Sequence, residues 1–358
     1  MEKLVGLRVS SGLLVMLLAT ACGEGGGGGT GTPIPEGGLA DAGAGGGNDL
    51  AAPVPADAAR ADGTIVSDTG GTVDVLPGDR PGTELPAEDA MGTPPDSAGG
   101  PAPATFIPKP RGTCPEFAPG MITVRPGSIT RQARLWITPA AAQAMDGPLV
   151  FYWYGTNGVP AQAEQALGAE TIAAITAQGG MVVAPLHDPA AGIWPWFLVA
   201  GTQDLDLQVA DEILACAVEK VGVDRRRIHA AGFSAGAIHT VQMSYRRSGY
   251  IASVVSYSGA KGPGIPDQDP SNKLAAMIFH GGPGDRVVIS FQEGSELYRT
   301  DLRAAGRFAL MCNHGMGHRI PPAVGPSVLR FLQDHPHGAS PSPWAAALPT
   351  GVPAYCVR

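Results

Sequence analysis

Hydrophobic and polar positions divide the chain at about residue 110. From about residue 111, short apolar runs alternate with segments whose apolar positions recur at helical spacing. The run at 148–154 is continuously apolar, as in a buried strand, and 206–221 places its apolar residues on one helical face. Strands that alternate with helices predict an α/β domain with a mostly parallel sheet and helices on both faces.

The pattern predicts an order of elements. The predicted strands cover 121–124, 133–137, 148–154, 181–186, 227–233, 251–257, 274–279 and 308–312. The predicted helices cover 160–178, 206–221, 235–247, 290–305 and 323–334. Only about 16 residues connect Tyr257 to Leu274, which leaves no room there for a large cap domain. We therefore expect an open site, suited to a polymeric or bulky substrate.

Residues 23–110 have a different composition. They contain 21 Gly, 13 Pro, 13 acidic and 3 basic residues among 88, and too few apolar side chains to form a core. Such a segment predicts a flexible tether, with an acidic binding tail as the alternative. Residues 111–358 hold 19 basic and 18 acidic residues, so the net charge of −8 belongs to the tether. Because no basic stripe appears, we expect no nucleic-acid partner.

The amino terminus has the pattern of a secretory signal. A short apolar run at 12–19 follows Lys3 and Arg8 and is too short to span a bilayer. The ending Leu18-Ala19-Thr20-Ala21-Cys22 resembles a bacterial lipoprotein signal, and an ordinary signal peptide is the alternative. The resemblance implies a signal peptide at 1–21, lipidation of Cys22, a tether at 22–110 and a domain at 111–358. We expect an exported, membrane-anchored protein of the bacterial cell envelope, on the outer membrane.

Four cysteines remain if Cys22 is acylated. An even number in an oxidising compartment predicts two disulfides, with three possible connectivities. We favour Cys114–Cys216 together with Cys312–Cys356. No two cysteines have the C-x2-C spacing of a zinc site, and we expect neither a metal nor a cofactor.

A candidate nucleophile stands between a predicted strand and a predicted helix. Gly232-Phe233-Ser234-Ala235-Gly236 fits the pattern G-x-S-x-G, which on its own also fits an ordinary Gly-Ser turn. The strand-to-helix context predicts a nucleophile elbow, in which a tight turn exposes the Ser234 hydroxyl at the carboxyl end of the sheet. A serine needs a base to take its proton, and in this architecture the partners follow in the order acid, then histidine.

Two loops at the same sheet edge supply these partners. Asp285 follows the strand at 274–279, and His318 lies in a Gly-rich loop after the last strand. We predict that His318 is the base and that Asp285 orients it, with His314 and Asp301 as the respective alternatives. His280, at the end of its strand, is expected only to hydrogen-bond the loop backbone.

The loop after the strand at 148–154 is a candidate oxyanion site. The amide of Ala235 supplies one predicted donor, and the amide of Thr156 the second, with Gly155 as the alternative. Three aromatic residues could line the substrate site or pack in the core, and we predict that they bind substrate: Tyr154, Trp194 and Trp196.

Residues 111–358 resemble the α/β-hydrolase superfamily. Within it they are similar to secreted polyhydroxybutyrate depolymerases and feruloyl or acetylxylan esterases. The approach to the elbow at 223–236 carries most of this resemblance, together with Trp153-Tyr154-Gly155-Thr156, Trp194-Pro195-Trp196-Phe197, His280-Gly281 and Gly317-His318. Tyr154 stands where that group has histidine.

The resemblance implies an activity. It points to a serine hydrolase that cleaves carboxylic esters of a polyester, feruloyl or acetyl-polysaccharide type through an acyl-enzyme. A serine peptidase or an acyltransferase would use the same fold and triad, so both remain alternatives. A non-catalytic surface binding lipoprotein is the third.

Overall fold

The computed structural model describes residues 106–138, 147–191, 195–196, 205–262 and 272–358. The predicted signal, Cys22, nearly all of the tether and Trp194 lie outside the described residues. Of the helices in the described part, none has both the length and the apolar character needed to cross a membrane.

Nine strands and six helices follow one another through the described part of the domain. The strands are β1 (Gly120–Val124), β2 (Arg131–Trp136), β3 (Leu149–Trp153), β4 (Met181–Pro185), β5 (Ile228–Phe233), β6 (Ser253–Tyr257), β7 (Ala275–His280), β8 (Ala309–Asn313) and β9 (Cys356–Val357). The helices are α1 (Gln162–Leu167), α2 (Ala169–Ala177), α3 (Leu205–Lys220), α4 (Ala235–Arg246), α5 (Phe291–Ala304) and α6 (Gly325–Asp334).

All nine strands form one sheet, in the order β1-β2-β4-β3-β5-β6-β7-β8-β9. The pairs from β4 through β3 to β8 are parallel, whereas β1, β2 and β9 add antiparallel pairs at the two edges. Strands β3, β4, β6 and β7 are buried along their whole length, which explains their continuous apolar sequences. The predicted α/β fold class is confirmed.

The helices cover the sheet in two layers. Helix α6 contacts α1 and α2, whereas α4 lies against β3, β5 and β6, with α5 beside β7 and β8. Side-chain contacts join the helices of the second layer. Among them, Tyr298 of α5 donates to Ser244 of α4 at 2.7 Å, and Arg247, directly after α4, pairs with Asp211 of α3 at 2.7 Å. Parallel strands joined by right-handed crossovers require this coverage of both faces.

Two local features differ from the sequence prediction. The helix predicted at 160–178 is two helices, because Gly168 adopts φ 88° between α1 and α2. A φ in this range suits glycine, so the chain can turn there at little steric cost. Strand β9 was not predicted, since a two-residue strand carries no periodicity.

Two disulfides connect distant parts of the domain. Cys114 is bonded to Cys216, 102 residues later, and Cys312 is bonded to Cys356, 44 residues later. The favoured pairing is therefore confirmed. The first bond ties the segment before β1 to α3, and the second ties β9 to β8.

Candidate active site

The turn between β5 and α4 exposes Ser234 at the carboxyl edge of the sheet. Ser234 has φ 54° and ψ −121°, a strained conformation for a residue with a side chain. A Cβ on Gly236 would lie 2.0 Å from the Trp153 carbonyl oxygen, and one on Gly232 would lie 2.4 Å from the Gly236 oxygen. Only glycine fits these positions, so the sequence pattern matches the steric demands of the turn.

Three side chains from three loops form a hydrogen-bonded series. The Oγ of Ser234 lies 3.0 Å from Nε2 of His318, and Nδ1 of His318 lies 2.7 Å from Oδ1 of Asp285. These distances are in the range for a nucleophile, its base and the group that orients the base. The structure thus brings together the three residues predicted to be catalytic.

Asp285 is fully buried and accepts three hydrogen bonds. Its Oδ1 faces His318, while Oδ2 accepts from the Ser258 hydroxyl at 2.8 Å and from the Gly281 amide at 2.9 Å. Burial acts to raise the pKa of Asp285, but the bonds from His318, Gly281 and Ser258 outweigh it and hold the pKa below its usual value. The carboxylate therefore stays charged at neutral pH and can stabilise a protonated imidazole.

Two aromatic rings hold the imidazole of His318 in place. The ring of Phe291 lies 4.6 Å from it between centroids and nearly parallel, and that of Phe233 lies 4.9 Å away. The side chain of His318 keeps 19% of its surface exposed. The base is therefore fixed in orientation while its Nε2 edge remains available to a reacting group.

The alternative partners make other contacts. His314 accepts the Met316 amide at its Nδ1, 3.2 Å away, within its own loop. Asp301 pairs with Lys261 at 2.9 Å and accepts the Tyr245 hydroxyl. His280 accepts the Gly282 amide at 3.1 Å, which confirms its predicted contact with the loop backbone.

The loop after β3 lies directly beside the serine. A Cβ on Gly155 would stand 3.2 Å from the Cβ of Ser234. The Gly155 amide donates to Oε1 of Gln162 at 3.0 Å and is therefore engaged, whereas the Thr156 amide has no acceptor among the described residues. Ala235 is the first residue of α4, where backbone N–H groups have no acceptor within the helix. Of the two alternatives in this loop, Thr156 thus has the available amide.

The structure corrects the predicted role of two aromatic residues. Trp196 is fully buried, donates its indole N–H to the Tyr154 carbonyl oxygen at 2.7 Å, and packs edge-on against Trp153. Tyr154 is 2% exposed, and its hydroxyl contacts Nδ1 of His187 at 2.9 Å. Both side chains are buried below the loop that follows β3 and do not line an open site. Trp194 lies outside the described residues.

Two polar residues beside the site were missed by sequence reasoning. Ser258 follows β6 and bonds Asp285, and Gln162 begins α1 and bonds the oxyanion loop. Neither belongs to a short motif, and only the position of Ser258 at a strand end gave a signal. In the described part of the chain, no group of three or more His, Cys, Asp or Glu residues is arranged to hold a metal ion.

Comparison with known proteins shows the fold. No protein-family model and no curated protein matches this chain. The crystal structure of native pOPH superposes with a TM-score of 0.52 at 17% identity, covering 68% of this chain and 96% of that one. The domain has the α/β-hydrolase fold.

Two further structures support this assignment of the α/β-hydrolase fold. The sOPH native structure gives a TM-score of 0.51 at 17% identity, covering 70% of this chain and 96% of the other. A serine-to-alanine variant of pOPH in complex with pNPB gives 0.52 at 16% identity, covering 68% and 95%. At this identity the likeness establishes architecture alone, so the chemistry must be argued from the residues of the site.

Proposed function

We propose that the domain is a serine hydrolase that cleaves carboxylic esters through an acyl-enzyme. The observation that carries the proposal is the hydrogen-bonded series from Ser234 through His318 to the buried Asp285. A serine hydroxyl becomes a nucleophile when a positioned base takes its proton, and this series supplies both the base and its orienting carboxylate.

The reaction would proceed in two steps. Ser234 Oγ attacks the ester carbonyl carbon while His318 Nε2 takes the hydroxyl proton, and the amides of Thr156 and Ala235 bind the oxyanion. His318 then gives the proton to the leaving alcohol as the C–O bond breaks. Water repeats the sequence on the acyl-enzyme, releasing the acid and restoring the serine. Throughout, Asp285 stabilises the imidazolium.

An open site favours esters of large substrates. The connection from β6 to β7 spans only residues 258–274, too short for an inserted cap domain. A polymer or bulky ester could then approach Ser234 directly. We therefore favour a polyester or an acylated polysaccharide as the substrate over a small ester that would bind in an enclosed pocket.

The decisive experiment compares the wild type with Ser234→Ala on p-nitrophenyl butyrate. We expect turnover and labelling by a fluorophosphonate probe for the wild type, and loss of both for the variant. Ser128→Ala, at an exposed position, is the matched control and should behave as wild type. A wild-type protein that neither turns over esters nor takes the label refutes the proposal.

Variants of the other two residues test the assigned roles. Asp285→Asn should lower kcat by about 10⁴ because the tautomer of His318 is lost. Asp301→Asn, which alters a carboxylate outside the series, should leave kcat within about threefold. Faster release of a peptide amine, or preferred transfer to an added alcohol, would instead favour a peptidase or an acyltransferase.

We also propose that the enzyme is exported and anchored through Cys22. The two disulfides support an oxidising compartment, since such bonds are rare in the cytosol. In a bacterial host, Cys22→Ala should move the protein from the membrane to the soluble fraction or block its maturation. Unchanged membrane retention would contradict the anchor without affecting the proposed chemistry.

A further inference from the structure

Gln162 links the oxyanion loop to the sheet beneath it. Its Oε1 accepts two hydrogen bonds, one from the hydroxyl of Tyr152 and one from the amide of Gly155, each 3.0 Å long. Tyr152 is fully buried in β3, so it gives the amide oxygen of Gln162 a fixed reference point. A single side-chain atom therefore joins the sheet to the loop.

The loop at 155–158 is a tight turn with few free amides. The Gly155 carbonyl accepts the Gly158 amide at 2.9 Å, and Asn157 adopts φ 59° at the third position of the turn. Because Gln162 takes the N–H of Gly155, the amide of Thr156 is the first in this loop without an acceptor among the described residues.

The hydrogen bond of Gln162 also fixes a peptide plane. Since the Gly155 N–H points to Gln162, the peptide unit joining Tyr154 to Gly155 cannot rotate freely. Gly155 is buried, so its amide would lose a partner if the acceptor were removed, and a buried N–H without a partner is unfavourable. The loop would then rotate toward another acceptor and carry the Thr156 amide away from Ser234.

We propose that Gln162 is a positioning residue for the oxyanion hole. Because Gln162 binds the Gly155 amide, the Thr156 amide is the one that faces the reacting carbonyl. The same hydrogen bond keeps the Thr156 amide in place before the substrate binds. This inference rests on the proposed ester hydrolysis. Donors fixed in advance stabilise the transition state more than the ground state, so the effect belongs to kcat and not to KM.

A purely structural role for Gln162 predicts a different outcome. The residue begins α1, and its bonds could serve only to anchor that helix. Loss of an anchor would lower thermal stability without a selective change in transition-state binding. The two roles are therefore separated by measuring kcat, KM and the affinity for a tetrahedral analogue on folded protein.

The test uses Gln162→Met, which removes the acceptor at similar length, with Ser128→Ala as the exposed control. With p-nitrophenyl butyrate at pH 8, we expect the Met variant to lose about 10- to 100-fold in kcat, with KM changed less than about threefold. Its affinity for phenylboronic acid, whose serine adduct is tetrahedral, should fall by a similar factor. The Ser128→Ala control should keep kcat within about threefold of the wild type.

Tyr152→Phe and Gln162→Asn complete the test. Tyr152→Phe removes the other donor but leaves the bond to Gly155, so its kcat should change less than that of the Met variant. Gln162→Asn keeps an amide on a shorter side chain and should also lose kcat, which tests the inference if the Met variant does not fold.

Three outcomes have distinct meanings. Wild-type kcat in both Met and Asn variants, with Ser234→Ala inactive, overturns the positioning role but leaves ester hydrolysis intact. Equal losses of kcat in Tyr152→Phe and Gln162→Met, at unchanged thermal midpoint, overturn it as well, because the bond to Gly155 would then not be the one that matters. An inactive wild type refutes the proposed function itself.

Discussion

Removal of the Ser258 hydroxyl should weaken both the stability and the activity of the domain. This hydroxyl donates to the Asp285 carboxylate at 2.8 Å, both residues are fully buried, and the backbone of Ser258 has φ 53°. Two substitutions separate these features. Ser258→Ala loses the hydrogen bond and keeps the unfavourable backbone, whereas Ser258→Gly loses the same bond and relaxes the backbone.

The expected magnitudes follow from these two contributions. A hydrogen bond to a charged group contributes about 1.5–3 kcal/mol, and a left-handed backbone costs a residue with a Cβ about 1–2 kcal/mol. We expect Ser258→Ala to reduce the free energy of unfolding by about 2 kcal/mol at pH 7. Ser258→Gly should be about 1 kcal/mol more stable than Ser258→Ala.

The pH dependence of these differences has a definite sign. Because the pKa of Asp285 in the folded protein lies below its usual value, its ionised form contributes stability above the unfolded pKa. That contribution is lost as the pH falls through the folded pKa. Loss of the Ser258 hydrogen bond raises the pKa of Asp285, so the wild type should exceed both variants most at neutral pH and least in acid.

Urea denaturation at pH 7 and at pH 3, followed by circular dichroism, measures these stabilities. Hydrolysis of p-nitrophenyl butyrate should show a similar loss of kcat in both variants, about tenfold, because the imidazolium is less well stabilised. Ser128→Ala serves as the exposed control. If both Ser258 variants keep wild-type kcat, the hydroxyl does not support the carboxylate. If the Gly variant is less stable than the Ala variant, the assignment of backbone strain is wrong.

Three further changes test other parts of the structure. Gly155→Ala puts a Cβ 3.2 Å from that of Ser234, so the loop must shift by a few tenths of an ångström. We expect kcat to fall up to about tenfold at an unchanged thermal midpoint. An unchanged kcat would contradict the close approach of this loop to the serine. Cys114→Ala removes the disulfide that spans 102 residues and should lower the free energy of unfolding by about 2–4 kcal/mol, measured by urea denaturation. An unchanged free energy of unfolding would show that this disulfide does not stabilise the domain. Burial raises the pKa of Asp206 to about 7, so between pH 5 and pH 7 the folded state holds a proton that the unfolded state releases. The free energy of unfolding of the wild type should therefore fall from pH 5 to pH 8 more than that of Asp206→Asn. Parallel pH profiles of the two proteins would contradict the raised pKa.

The sequence predicted the positions of β1 to β8 along the chain because buried parallel strands have continuous apolar runs. It could not predict β9, whose place at the sheet edge depends on a disulfide and on pairing with β8. It also predicted one helix at 160–178, since the apolar pattern continues across Gly168. The break there is set by the backbone and not by the apolar pattern.

The candidate site divides in a similar way. Ser234, Asp285 and His318 could be placed because each follows a strand at one edge of a parallel sheet, where the loops converge. The roles of Ser258 and Gln162 depend on distances across the fold, which no local pattern encodes. The burial of Trp196 was missed for the same reason: an aromatic residue beside a site and one beneath it have the same sequence signature.

The disulfide between Cys312 and Cys356 also has a consequence for association between molecules, because it holds a strand at the edge of the sheet. Strand β9 is only two residues long, yet it pairs with β8, whose backbone would otherwise offer unpaired hydrogen-bonding groups at the edge of the sheet. Such an edge can pair with a strand of another molecule. Reduction would remove the covalent link between β9 and β8, so we expect self-association to increase in the reduced domain. We therefore expect this bond to limit pairing between molecules at the exposed side of β8, in addition to any contribution to folding.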